Sequence, residues 1–227
     1  MFRLSTFPIP TVEDPRGNLS FLQKGVLPFA PSGISVNCKK GVAGALIALR
    51  GRCTLSTGDE TIEASSCRQG VLASSDVNME RSSKDIVLLN VFSVQEEEKM
   101  LLKDAKWEEI SIDPIKIRAP FNVRRVYYIT DIPSLAERGG HSHFRQQVMI
   151  MALRGRFRLK LDDGEKNSEI WLKESNRAIF VNAQVWRSMD SFEDDSIALI
   201  LSSTVYDPSD YIYDYELFKR YSRRTRR

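Results

Sequence analysis

The chain has 227 residues, 42% of them hydrophobic and 28% charged, with 33 basic and 30 acidic side chains for a net charge of +3. That length supports one large domain or two small ones, each with its own core. The near balance of charge excludes a protein that coats nucleic acid, and no apolar run approaches the ~18 residues of a membrane span.

The opening, MFRLSTFPIPTVEDPRG, has neither a long apolar core nor a cleavage-like site, so no signal peptide is expected. Cys38, Cys53 and Cys67 are odd in number and show no C-x-x-C spacing, which fits a reducing compartment. The expectation is a soluble cytoplasmic protein with no nucleic-acid and no membrane partner.

Past this opening the chain carries a repeat, which decides the architecture. Residues 43–57 read AGALIALRGRCTLST and residues 147–161 read QVMIMALRGRFRLKL, sharing Ala-Leu-Arg-Gly-Arg at Ala48–Arg52 and Ala152–Arg156. Each copy continues with a glycine turn (TGDE near Gly58, DDGE near Gly164) and a further strand (GVLAS at 70–74, AIFVN at 178–182). Each closes on an apolar run, IVLLNVF at 86–92 and IALILSS at 197–203. The period is that of strands: RFRLKLD alternates basic with apolar residues, so one face is buried and one solvated. Asp162-Asp163-Gly164 predicts a hairpin. Short runs bounded by Gly, Asp, Asn and Pro predict an all-β sandwich or barrel in each copy. Helix signals are confined to Val94–Leu102 and Tyr213–Arg223. The boundary is placed near 105–115, in the polar stretch KDAKWEEISIDP, giving domains 1–105 and 115–227. The basic end, Arg220 to Arg227, reads as a solvated tail.

His141 and His143, in RGGHSHF, are the only histidines. On a strand, residues two apart share a face, so both imidazoles are expected in one cavity. Zinc or iron needs more protein ligands than two. The nearby positions offer Gln146 and Gln147, and the later strand offers Trp186 and Arg187. No metal and no cofactor is therefore expected, and the pair is read as proton-transfer groups, since imidazole titrates near neutrality. Aligning the repeats sets Asn37 and Lys39 opposite the two histidines and Asn78 opposite Trp186, so the first copy lacks the imidazoles.

In order along residues 124–218 come RRVYYITDIP, RGGHSH, QQVMIMALRGRFRLKLDDG, FVNAQVW and YDPSDYIYDYELF. Together they resemble the sugar-nucleotide 3,4-ketoisomerases of the cupin superfamily, and the early DPRGNLSFLQKGVLPF is similar to that family's opening. The resemblance implies a bicupin: two tandem double-stranded β-helix (jelly-roll) barrels with few helices, the first degenerate. It implies metal-independent movement of a carbonyl from C4 to C3 of a dTDP-linked keto-deoxysugar through an enediol. It also implies His143 as base with His141 as its partner, and Tyr127 or Tyr128 donating to sugar oxygens. Arg125 and Arg138 would hold the diphosphate, and Gln147, Trp186 and Arg187 complete the expected substrate-binding set.

The family's Trp-His is here Trp186-Arg187, a permanent cation in place of an imidazole. That change would alter substrate choice, add a phosphate contact or mark an inactive copy. A non-catalytic sugar-nucleotide-binding protein and a 3,5-epimerase-like enzyme are the competing readings. A homodimer paired through strands is the expected assembly.

Overall fold

The computed structural model describes residues 4–93, 106–111, 113–114, 117–173 and 177–224. The helix expected over 94–102 and part of the boundary region lie outside these. The described chain is built almost wholly of antiparallel strands, and Tyr215–Arg224 is the one α-helix among the described residues. None of the described helices is long and apolar enough to cross a membrane.

The chain forms two compact units: 1–12, 20–98 and 112–118 make the first, and 13–19, 99–111 and 119–227 the second. The early segment 13–19 is tied to the second unit by side chains. Asp14 pairs with Arg138, Asn18 Nδ2 donates to Asp131 Oδ2 at 2.8 Å, and Gly17 sits against Ile132.

In the first unit, five strands lie in the order Leu4–Pro8, Gln69–Ala73, Gly44–Arg50, Val87–Phe92, Gly33–Val36. Four more follow the order Lys40–Gly41, Val77–Ser82, Cys53–Thr57, Glu60–Ala64. In the second unit the corresponding order is Trp107–Ser111, Arg177–Val181, Val148–Arg154, Ile197–Ser202, Arg125–Thr130. Its other sheet runs Tyr211–Ile212, Arg138–His143, Trp186–Asp190, Arg156–Asp162, Asn167–Lys173. Among the strands just named, and apart from the added Tyr211–Ile212, the two plans match strand for strand, the two-sheet arrangement of a jelly roll in each unit. Each unit has its own core, with Leu46, Leu55 and Leu88 buried in the first and Phe157, Leu159 and Ile200 in the second. Each such side chain contributes about 1.5–3 kcal/mol.

The shared pentapeptide has a physical reason. Its glycines, Gly51 and Gly155, take left-handed φ values of 68° and 64°. A Cβ on either would meet a serine hydroxyl, Ser83 Oγ at 2.2 Å or Ser196 Oγ at 2.5 Å. Only glycine turns the chain there at no steric cost. The predicted hairpin after Asp162 is present: Asp163 Oδ1 accepts from the backbone N–H of Glu165 and Lys166 at 3.0 and 2.9 Å.

The strand ladders correct the alignment of the two copies around the histidines. With Leu55 matched to Leu159 by the pentapeptide, Leu55 pairs with Met79 and Leu159 with Met189. Counting along the ladder, Val77 stands where the second unit has Arg187. Gly41, its partner, stands where the second unit has His141. Asn37 and Lys39 are not the counterparts, because Gly41 lies seven positions before Ala48 whereas His141 lies eleven before Ala152, so the chain between the two strands is four residues shorter in the first unit. A Cβ on Gly41 would lie 3.0 Å from Leu46 Cδ2 and 3.1 Å from Val77 Cγ2, so apolar packing fills that place in the first unit.

Candidate active site

The strand Arg138–His143 lies between Trp186–Asp190 and Tyr211–Ile212, with His141 opposite Arg187 and His143 opposite Tyr211. Its entry is a bulge at Gly139, whose φ is 85° and whose Cβ position is 2.8 Å from the Arg187 carbonyl. That close approach requires glycine. The two imidazoles share one side, as expected, with ring centroids 4.9 Å apart and planes at 80°. His143 is fully buried while His141 is partly exposed, so the pair is reached from the His141 side.

The tail segment 206–213 packs over the pair. Tyr211 lies 4.2 Å from the His143 ring and 5.0 Å from the His141 ring. Tyr213 stacks on Tyr211 at 5.4 Å and turns an edge toward His141 at 5.9 Å. Asp210, 2% exposed, fastens the segment by accepting from the backbone N–H of Arg145 and Gln146 at 2.9 and 3.0 Å.

Two buried guanidinium groups complete the cluster. Arg187 Nη2 lies 2.6 Å from His143 Nδ1, and the guanidinium also interacts with the Tyr127 phenol. Arg125 sits over the Tyr127 ring at 4.6 Å and donates weakly to Gln146 Oε1 at 3.4 Å and Tyr211 Oη at 3.5 Å. Neither pairs with a carboxylate among the described residues. Arg125 Nε, Arg187 Nη1, Gln146 Nε2 and His143 Nε2 are buried without a hydrogen-bond partner. Unpaired buried donors cost about 1–3 kcal/mol each, and such a group of donors is suited to a bound anion or to oxygens that gain charge during reaction.

Burial, then the Arg187 charge, pushes the His141 ring down to about 3 and the His143 ring further down. Both imidazoles are therefore neutral near pH 7. Burial raises the Tyr127 phenol, with Arg125 and Arg187 opposing, and burial lowers Arg187. Arg187 remains protonated near pH 7, as arginine does in proteins.

Of the residues expected at the site, His141, His143, Arg125, Tyr127 and Arg187 come together. Tyr127 is the tyrosine that shares their side, and Tyr128, fully buried, points the other way. Gln147 donates to Asn182 Oδ1 instead, and Gln146 takes the place beside Arg125. Arg138 is held by Asp14 at 3.3 Å. Trp186 faces away from the histidines and packs on Tyr215 and Phe218 at 5.1 and 5.7 Å. Tyr211 and Gln146 were missed as site residues. Tyr211 could have been singled out from the aromatic-rich YDPSDYIYDY run.

Residues 98–223 match the family described as FdtA: WxcM-like, C-terminal. The TDP-4-oxo-6-deoxy-alpha-D-glucose-3,4-oxoisomerase of Aneurinibacillus thermoaerophilus is 36% identical over 118 residues, covering 52% of this chain and 84% of that protein. Among solved structures, the sugar 3,4-ketoisomerase QdtA of Thermoanaerobacterium thermosaccharolyticum in complex with TDP is similar with a TM-score of 0.50 and 25% identity. That match covers 55% of this chain and 98% of QdtA. A mutant of QdtA in complex with TDP-4-keto-6-deoxyglucose gives a TM-score of 0.50 at 24% identity, over 52% of this chain and 95% of that one.

Proposed function

Because the chain belongs to the FdtA family of WxcM-like C-terminal domains, we propose that it is a sugar-nucleotide isomerase that moves a carbonyl between C4 and C3 of a dTDP-4-keto-6-deoxyhexose. The observation that carries this is the pair of neutral imidazoles, 4.9 Å apart, beside two buried guanidinium groups that have no carboxylate partner among the described residues. The relative from Aneurinibacillus thermoaerophilus acts, by its name, on a TDP-4-oxo-6-deoxyglucose.

A neutral imidazole removes the proton at C3, and the C–H electrons form the C3–C4 double bond while O4 takes the charge. Protonation of O4 gives the enediol; loss of the proton on O3 and return of a proton to C4 then leave the carbonyl at C3 and a hydroxyl at C4. Arg187 and Arg125 stabilise the oxygens that become negative, in a site shielded from water, and Tyr127 hydrogen-bonds a sugar oxygen. The reading is metal-independent. In its support, no three His, Cys, Asp or Glu side chains gather to hold a metal among the described residues.

The first unit is read as a non-catalytic copy, since Gly41, Leu46 and Val77 fill the place of its site. Cys38, Cys53 and Cys67 form no disulfide, which supports a reducing, cytoplasmic setting.

Incubation with dTDP-4-keto-6-deoxyglucose in deuterated water tests the proposal. A 3-keto product carrying deuterium at C4 is expected. Exchange at C3 and C5 with epimerisation would make it an epimerase, and a ligand-induced rise in melting temperature without either reaction would make it a binder.

A further inference from the structure

We infer that Arg187 is a positioning residue that holds the proton of His143 on Nε2, so that His143 acts as the donor of the pair and His141 as its base. The inference deepens the isomerase reading, and its kinetic arm rests on that reading.

Arg187 Nη2 and His143 Nδ1 are 2.6 Å apart, and both residues are buried, at 4% and 0% exposure. A guanidinium carries donors only and stays protonated. The bond can therefore form only with Nδ1 as acceptor, and a neutral ring then carries its hydrogen on Nε2. That Nε2 is buried without a partner, as is Arg187 Nη1, so two N–H groups are held ready for a substrate oxygen. An imidazole in place of Arg187 could exchange donor and acceptor roles, and the proton of His143 would be free to move between nitrogens. A guanidinium forbids that exchange.

His141 is arranged in the opposite sense. It is partly exposed while His143 is buried, so with His143 held as a donor it is the imidazole left to take a proton from the substrate. The allocation reverses the one implied by resemblance, which made His143 the base.

The groups facing His143 are Arg187 from Trp186–Asp190, Arg125 from Arg125–Thr130, Tyr211 from Tyr211–Ile212 and His141 from its own strand. Tyr127 lies against Arg187. No carboxylate is among them, so nothing in this set competes with Arg187 for the ring or favours its charged form.

The chain holds only two imidazoles, so the full-length protein labelled with 15N-histidine gives two sets of ring signals, assigned by losing one in His143→Asn. The expected result is a pyridine-type Nδ1 and a pyrrole-type Nε2 on His143 across neutral pH. Arg187→Lys, which keeps a donor, should retain the pattern. Arg187→Leu should give mixed tautomers and move the acid limb of the turnover profile to higher pH by about a unit or more. A pyrrole-type Nδ1 in the wild type, or a tautomer unchanged in Arg187→Leu, overturns the inference. The stated tautomer in a protein that turns over no keto sugar would uphold the lock and remove the isomerase reading; turnover with the other tautomer would do the reverse.

Discussion

Tyr213 stacks on Tyr211 with centroids 5.4 Å apart and planes at 16°, and it stays 65% exposed beside His141. Its ring forms the outer wall of the histidine cluster, where one face of a bound sugar would rest. Aromatic stacking contributes about 1 kcal/mol. Tyr213→Ala should therefore raise KM about fivefold and leave kcat within about twofold, while Tyr213→Phe should match the wild type. An unchanged KM in Tyr213→Ala would remove the ring from the binding site.

Asp210 ties the tail to the turn after the histidine strand by accepting two backbone N–H bonds while 2% exposed. Asp210→Ala leaves those donors unsatisfied, at a cost of about 2–3 kcal/mol. The melting temperature should fall by several degrees, and turnover should fall with it because Tyr211 and Gln146 lose their support. Calorimetry on the variant decides this: an unchanged melting temperature would show that the tail is held by other contacts.

Neutral buried histidines destabilise the folded chain in acid. An unfolded imidazole titrates near 6.5, whereas burial and Arg187 bring His141 down to about 3 and His143 lower. Between these values the unfolded state binds protons that the folded state refuses, so stability rises with pH through that window and is lost as pH falls below about 6.5. Urea denaturation of the His141→Asn variant should show a shallower loss between about pH 6 and pH 4 than the wild type. Identical slopes would mean that the ring is protonated in the folded chain.

Asn37 adopts a left-handed φ of 54° and accepts the Leu88 N–H on Oδ1 at 2.7 Å. Its role is in the backbone of the first unit. Asn37→Ala should lower stability by about 1–2 kcal/mol and leave turnover of the folded enzyme near normal. A large loss of turnover would give the first unit a part in catalysis.

The strand order of both units was legible because Ala-Leu-Arg-Gly-Arg marks a turn that glycine must make, at Gly51 and Gly155. The shared face of His141 and His143 followed from strand alternation. The same alternation separates Trp186 from Arg187, so that pair cannot put both side chains into one pocket. The motif does not say which member faces in; the packing of Trp186 on Tyr215 and Phe218 decides it. Arg138 could not be assigned from its own neighbourhood, since its partner Asp14 is 124 positions earlier in the chain. Asn37 and Lys39 were misaligned because the run from Gly41 to Ala48 is four residues shorter than the run from His141 to Ala152, and an alignment carried back from the shared motif does not register a shortened turn.

The most direct test of the account is loss of the C3 hydrogen from dTDP-4-keto-6-deoxyglucose to solvent, followed in deuterated water with His141→Asn beside the wild type. The account predicts that the variant folds and that its exchange slows by about 10²-fold or more. Exchange at the wild-type rate in a folded His141→Asn protein would contradict it.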